Sequence, residues 1–186
     1  MLRDITFALK KIMGSFYDND EAPSIFDIAM AYENGNGGII RPKVKKMSDT
    51  YKSVSDTYKG LSDDEKKFIY KHPRYAYKFN ANAEKAKAIG RQFGGGRNGY
   101  GDAVRHCYWC ALNQVSAGLN SPLAEEFGNA HENKPDNEFN EKNMDLHNNS
   151  VGYYLGNQAI KNNWSEDELL KTVIKAADDG KLKILK

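Results

Sequence analysis

Cysteine, tryptophan and proline are scarce in the sequence, and long apolar runs are absent. The 186 residues include two Cys, two Trp and five Pro. Two cysteines cannot build the disulfide framework of a small secreted domain, and no apolar run approaches the roughly 18 residues of a membrane-spanning helix. Apolar residues still make up 40% of the chain and charged residues 28%. This composition excludes collagen, coiled-coil rods and wholly disordered chains, and the length indicates one globular domain.

The N-terminus also lacks the order of a signal peptide. Asp4 precedes the apolar stretch, and Lys10 and Lys11 interrupt it, whereas a signal peptide has basic residues first and then a continuous apolar core. We therefore expect synthesis in the cytoplasm without export through a signal peptide. Residues 1–13 are predicted to form a short amphipathic helix that docks on the core, with binding to a membrane surface as the alternative.

The excess of one charge is small, since the net charge is only +2. Its distribution along the chain is uneven. Residues 61–100 carry nine Lys/Arg against four Asp/Glu, whereas residues 101–150 carry three against eight. An acidic excess around histidines is compatible with a cation site, and an acidic face without a function is the alternative.

Helical patterns dominate from residue 61 onward. Ser62 with Glu65, and Ser165 with Glu168, have the spacing of capping boxes, and each therefore predicts the N-terminus of a helix. Further helices are predicted over 80–90 and 102–117, from Ser121-Pro122 onward, and over 142–160.

Strand signals are scarce, so the sequence predicts a mainly α fold. We expect a compact multi-helix single domain with a Gly-rich loop at 94–101 and at most a short strand at 181–185. Residues 1–60 are expected to form an N-terminal helix and a turn-rich segment packed on the core. Residues 61–186 are expected to form the helical catalytic domain.

The helix predicted over 102–117 carries an unusual polar stripe. The i, i+4, i+7, i+11 spacing places a carboxylate, an imidazole, an indole and an amide on one face, and Arg105 lies beside them. The stripe consists of Asp102, His106, Trp109 and Asn113. The opposite side is predicted to be core, and it carries Val104, Cys107, Tyr108, Cys110, Ala111, Leu112 and Val115. Mid-helix on this apolar side, the two cysteines are predicted to be small core residues rather than a redox pair.

Two later segments carry further polar residues. His131 and Glu132 come at the end of the helix that follows Pro122. In the next helix, two polar residues and two glycines repeat the same spacing: Asp145, Asn149, Gly152 and Gly156. The glycines allow a neighbouring backbone to approach closely, which would press the two polar residues against it. His147 lies on another side of that helix and is interpreted as an ordinary histidine.

Packing of these helices would bring the polar residues to one pocket. The set suits a divalent ion (Ca, Mg, Mn or Zn), because carboxylates and imidazoles are its usual ligands. It suits metal-free acid–base chemistry equally well, and a buried polar network that only stabilises the helices is the structural alternative. The candidate ligands are Asp102, His106, His131 and Asp145, and the candidate catalytic residues are His106, Arg105, Asp102 and Glu132. The candidate substrate-binding residues are Trp109, Asn113, Asn149 and Arg97.

The segments 102–109, 130–132 and 144–152 together resemble a bacterial domain family. Its pattern is D-A-x-R-H-x-Y-W, then A-H-E, then M-D-x-x-N-N-x-x-G, and the resemblance covers about a third of the chain. We associate that family with toxin modules of Rhs/YD-repeat polymorphic toxins and with stand-alone effectors. The resemblance implies delivery by a specialised secretion system into a target cell, contact with a component of that system, and a cognate immunity protein as partner.

A looser likeness is to secreted phospholipase A2, in which a Gly-rich calcium loop precedes a helix with a catalytic histidine. Residues 94–101 followed by His106 have that order. Cys107 stands where that family has Asp, and the disulfides of that family are missing. The likeness is therefore an analogy.

These observations lead to one main expectation and two alternatives. We expect an antibacterial effector, a metal-assisted hydrolase of a cell-envelope substrate that is either phospholipid or peptidoglycan-related. A metal-dependent nuclease toxin is the second hypothesis, for which the basic segment 61–100 would supply the nucleic-acid contact. A non-enzymatic secretion adaptor or structural module is the third.

Overall fold

The structure is a computed structural model and describes residues 61–94, 96–133 and 138–185. The predicted N-terminal helix at 1–13, the turn-rich segment and the expected packing of residues 1–60 lie outside the described residues. By their contacts, the residues fall into two units, one ending at Arg74 and one running from Tyr75 to Lys186.

The described residues form helices connected by short loops, and none of them is in a strand. The mainly α fold is therefore confirmed, and residues 181–185 lack regular structure rather than forming a strand. None of the described helices has both the length and the apolar character needed to cross a membrane. The helices are α1 (Asp63–Lys71), α2 (Pro73–Gln92), α3 (Tyr100–Ala117), α4 (Leu123–Glu132), α5 (Phe139–Asn162) and α6 (Glu166–Asp178).

Both predicted capping boxes are present. The Ser62 hydroxyl accepts from the Glu65 N–H, and the Glu65 carboxylate accepts from the Ser62 N–H at 2.6 Å. Ser165 and Glu168 make the same reciprocal pair at the start of α6. At α4 the predicted start shifts by one residue, since Pro122 is the N-cap and Leu123 begins the helix.

Helix α3 is the central element of the second unit and is buried on nearly all sides. Cys107 and Cys110 are buried free thiols, which confirms them as core residues, and burial raises the pKa of Cys107 to about 12. One predicted core residue was wrong: Val115 is 43% exposed. It lies in the last turn of α3, which ends at Ala117, and it follows Gln114, the last buried residue of that helix.

The two glycines of α5 bring that helix against α3, as their spacing predicts. A Cβ on Gly152 would overlap the carbonyl oxygen of Cys107, and a Cβ on Gly156 would lie 2.6 Å from the carbonyl oxygen of Ala111. Only glycine permits so close an approach of two helix backbones. This packing presses the earlier turns of α5, including Asp145, against α3.

The C-terminal residues return along α5. The Asn148 side chain donates to the Lys183 carbonyl at 3.0 Å and accepts from the Lys183 N–H at 2.8 Å. A ring nitrogen of His147 lies 2.9 Å from the Lys181 carbonyl oxygen, so this histidine has a structural contact. The Leu185 N–H donates to the Asn98 carbonyl at 3.0 Å, which ties the tail to the loop before α3.

Candidate functional site

Helices α3 and α5 bring one imidazole and two carboxylates together. Asp102 and His106 lie one turn apart on α3, and Asp145 faces them from α5. His106 Nε2 is 3.8 Å from Asp102 Oδ1 and 3.5 Å from Asp145 Oδ1. One ligand atom from each side chain can be chosen so that all three lie within 4.8 Å of one another. We call these three residues the triad.

The triad is buried, and it includes a carboxylate oxygen without a hydrogen-bond partner among the described residues. Asp102, His106 and Asp145 are each less than a tenth exposed. Asp145 Oδ1 is buried without a hydrogen-bond partner among the described residues. Burial, followed by the nearby carboxylates of Glu132 and Asp102, raises the pKa of Asp145 to about 7. The site therefore concentrates negative charge that a cation would stabilise.

Arg105 contacts two members of the triad. Its Nη2 makes a short ion pair with Asp102 Oδ1 and donates to His106 Nε2 at 2.7 Å. Because a guanidinium can only donate, Nε2 acts as an acceptor and the ring proton of the neutral imidazole lies on Nδ1. The Arg105 side chain is 41% exposed, so it extends from the buried triad to solvent.

Glu132 lies on the opposite side of the His106 ring. Its Oε1 is 3.5 Å from His106 Nδ1 and accepts from Asn149 Nδ2 at 3.2 Å. Glu132, predicted to be catalytic, therefore lies beside His106 Nδ1, although the contact is too poorly aligned to count as a hydrogen bond. Asn149, predicted to bind substrate, donates to Glu132.

The loop before α3 supports Asp102 and is shorter than predicted, because the helix begins at Tyr100. Asn98 has a positive φ of 66°, a conformation that asparagine tolerates, and its N–H donates to Asp102 Oδ2 at 2.7 Å. Its side chain makes a short hydrogen bond to Glu141. Arg97, predicted to bind substrate, pairs with the other Glu141 oxygen at 2.6 Å.

His131, a predicted metal ligand, lies near the triad and is not one of its three residues. Its ring centroid is 6.5 Å from that of His106 and 5.1 Å from Trp109, which it contacts edge-on. The Trp109 indole donates to the Phe79 carbonyl at 3.1 Å. Both side chains therefore belong to an aromatic cluster that lies next to the site.

Asn113, a predicted substrate-binding residue, makes its side-chain hydrogen bond with Asn82 rather than with a triad residue. Its Oδ1 accepts from Asn82 Nδ2 at 3.0 Å, and the same amide donates to Ser116 Oγ at 3.1 Å. Sequence reasoning missed Asn82, Asn98 and Glu141. The i, i+4 spacing of Glu141 from Asp145 is the signal that indicates Glu141 as a neighbour of the site.

The triad fits a single divalent ion. Ligand atoms that each lie roughly 2 Å from one ion are about 3 to 4 Å apart, which matches both distances from His106 Nε2. One imidazole and two carboxylates are common ligands of catalytic metal ions. Three protein ligands would leave further coordination positions open at such an ion.

Residues 66–181 match the model of a family described as "Domain of unknown function (DUF6973)". Because this match spans more than half of the chain, the protein belongs to that family. No curated protein and no solved structure matches the chain.

Proposed function

We propose that the protein is a hydrolase that uses one divalent metal ion held by Asp102, His106 and Asp145. The observation that carries this proposal is the Asp145 Oδ1 atom, which is buried, has no hydrogen-bond partner in the part of the chain that the structure describes and lies 3.5 Å from His106 Nε2. An unsatisfied buried carboxylate oxygen costs free energy. A cation shared with His106 and Asp102 would remove that cost.

The residues around the triad have separate roles in this proposal. Glu132 keeps the His106 proton on Nδ1, so that Nε2 faces the ion. The Asn98 N–H holds Asp102 in place. Arg105, the exposed member of the group, binds an anionic oxygen of the substrate. A divalent ion, when bound, would activate a water molecule and polarise the scissile bond.

The substrate and the setting are proposed from the sequence resemblance. We propose a cell-envelope substrate, either phospholipid or peptidoglycan-related, and an antibacterial effector role. A cognate immunity protein, and a component of the secretion system that exports the protein, would be its partners. The non-enzymatic alternative treats the triad as a polar network that only holds α3 and α5 together.

The basic segment 61–100 has less uncompensated positive charge for binding nucleic acid than its net charge suggests. Lys85 pairs with Glu166 at 2.6 Å, and Lys87 pairs with Glu84 at 2.8 Å. These cations are therefore partly compensated on the protein surface, which favours an envelope substrate over nucleic acid. Nucleic acid is kept as one arm of the activity assay.

The first prediction concerns metal binding. After treatment with a chelator, the melting temperature should rise with increasing concentration of at least one of Ca²⁺, Mg²⁺, Mn²⁺ or Zn²⁺, because an ion bound only to the folded state stabilises it. Asp145→Asn should abolish the rise. The matched control is Asp167→Asn, on the exposed first turn of α6, which should keep it.

The activity assay separates the functional hypotheses. The protein is incubated with phospholipid vesicles, purified peptidoglycan and nucleic acid, before and after removal of metal. We expect hydrolysis of one envelope substrate, lost with the chelator and in a folded His106→Ala variant. Full activity after exhaustive chelation, with no thermal shift from any of the four ions, would contradict the proposal. A His106→Ala variant that loses stability while its folded fraction keeps full activity would identify the triad as structural.

A further inference from the structure

We propose that Arg105 holds the cation position of the triad until a divalent metal ion displaces it. The guanidinium and the metal would then compete for the same two atoms. This inference rests on the proposed function, because it assumes that the triad is a metal site. It adds a regulatory step to that site, since the metal affinity would depend on a side chain that is not a ligand.

The competition follows from the two contacts of Arg105 Nη2. This nitrogen pairs with Asp102 Oδ1 and donates to His106 Nε2 at 2.7 Å. The single lone pair of Nε2 can accept a hydrogen bond or bind a metal ion, and it cannot do both. A metal ion bound through Nε2 therefore requires the guanidinium to leave.

The guanidinium compensates the site incompletely. It contacts Asp102 and His106, whereas Asp145 Oδ1 has no hydrogen-bond partner among the described residues. Its single positive charge is also shared between two buried carboxylates, those of Asp102 and Asp145. A divalent ion at this position would carry twice the charge and would contact all three members of the triad.

The exposure of the side chains indicates how the Arg105 guanidinium could leave and a metal ion could enter. The triad side chains are 6%, 6% and 12% exposed, whereas that of Arg105 is 41% exposed. Arg105 therefore lies between the ligands and solvent. A Cβ on Gly90 would lie only 3.0 Å from Arg105 Cβ, so the base of this side chain is packed closely against α2. We expect its outer part to rotate outward, where the guanidinium can bind substrate.

The test compares metal affinity in three forms of the full-length protein after removal of metal. Mn²⁺ and Zn²⁺ are each titrated by calorimetry into wild type, Arg105→Gln and Arg91→Gln. Glutamine keeps part of the aliphatic stem and removes the charge. Arg91 is the matched control, because it is an exposed arginine in the last turn of α2.

We expect Arg105→Gln to bind metal roughly tenfold more tightly than wild type, a typical size for coupling between two competing interactions. Arg91→Gln should differ from wild type by less than about twofold, because an exposed charge is screened by solvent and salt. Arg105→Gln should also melt at a lower temperature without metal, and the metal should raise its melting temperature more than that of wild type.

The outcomes distinguish this inference from the proposed function. Equal or weaker metal binding by Arg105→Gln would overturn the competition and leave the metal site standing. Absence of metal binding by every form would overturn both. If Arg105→Gln does not fold, Arg105→Met replaces it. Methionine keeps a flexible unbranched stem and has neither charge nor hydrogen-bond donor, so tighter metal binding by this variant would support the inference, and unchanged binding would contradict it.

Discussion

At the scale of single residues, the orientation of His106 decides what the site can do. Its Nε2 faces Asp102 and Asp145, and its Nδ1 faces Glu132. A ring turned by 180° about its Cβ–Cγ bond would exchange both nitrogens for ring carbons, so that Nε2 would no longer face the two aspartates. Glu132 and the Asn149 amide that supports it therefore matter to the site without forming part of the triad.

A substitution of Glu132 tests this role. Glu132→Gln keeps an oxygen that can accept from Asn149 and from His106, but it removes the negative charge that makes the imidazole a better ligand. We expect metal affinity to fall by roughly tenfold or more, with little change in the melting temperature of the metal-free protein. Calorimetric titration measures this affinity, with Glu125→Gln on the exposed side of α4 as the control. Unchanged affinity in Glu132→Gln would contradict the orienting role.

The sequence indicated the triad residues because polar side chains on each helix recur at helical spacing. Asp102 and His106 are four residues apart and therefore share a face of α3. His131 and Glu132 were placed at the site as neighbours in sequence, and the role of His131 as a ligand stays a prediction. Consecutive residues on a helix point about 100° apart, so only one of the two can face the triad directly. Glu132 faces it, and His131 contacts Trp109.

At the scale of elements, the close packing of α3 against α5 forms the site. The two backbones approach at Gly152 and Gly156, and this approach positions Asp145 two turns earlier on α5. Both glycines and the spacing from Asp145 were visible in the sequence, so this packing was predictable. The start of α2 was not, because the sequence pattern predicted a helix only over 80–90, whereas α2 begins at Pro73. Proline is favoured at the first position of a helix, and Pro73 takes that position.

Gly152→Ala tests whether the helix packing sets the site. The added Cβ would meet the Cys107 carbonyl oxygen, so α5 must move away from α3. We expect the free energy of unfolding to fall by about 1–3 kcal/mol, as for overpacked cores, and metal affinity to fall with it. Urea denaturation and metal titration measure the two effects. Ser150→Ala, on the exposed side of α5, is the control, and a Gly152→Ala variant with wild-type stability would contradict the close packing.

At the scale of the whole molecule, contacts between distant parts of the chain complete the site's surroundings. The C-terminal tail is held by Asn148 and by the carbonyl of Asn98, and Asn98 also holds Asp102. Local periodicity indicates which face of a helix is apolar, but it carries no information about which distant segment will cover a given polar group. The return of the tail, and the contact of Asn82 with Asn113, could therefore not be predicted from the sequence.

Another long-range contact is expected to make the free energy of unfolding change with pH in the alkaline range. The Tyr100 hydroxyl, at the start of α3, donates to Asp178 Oδ1, at the end of α6, at 2.6 Å. Burial, followed by this hydrogen bond, raises the pKa of Tyr100 to about 12, from an ordinary value of 10.0. Because the folded state holds this proton more tightly than the unfolded state, the contribution to stability is complete below pH 10. It is lost as the pH rises through about 12.

We therefore expect the stability difference between wild type and Tyr100→Phe to shrink between pH 10 and pH 12. Urea denaturation at pH 8, 9, 10 and 11 measures that difference, and titration of the lysines largely cancels because both proteins contain the same lysines. Tyr154→Phe, at an exposed position of α5, should show a difference that does not change with pH. A constant difference for Tyr100→Phe over the same range would mean that the hydroxyl is not held by Asp178 in solution. The start of α3, two residues before Asp102, would then lack this hydrogen bond to α6.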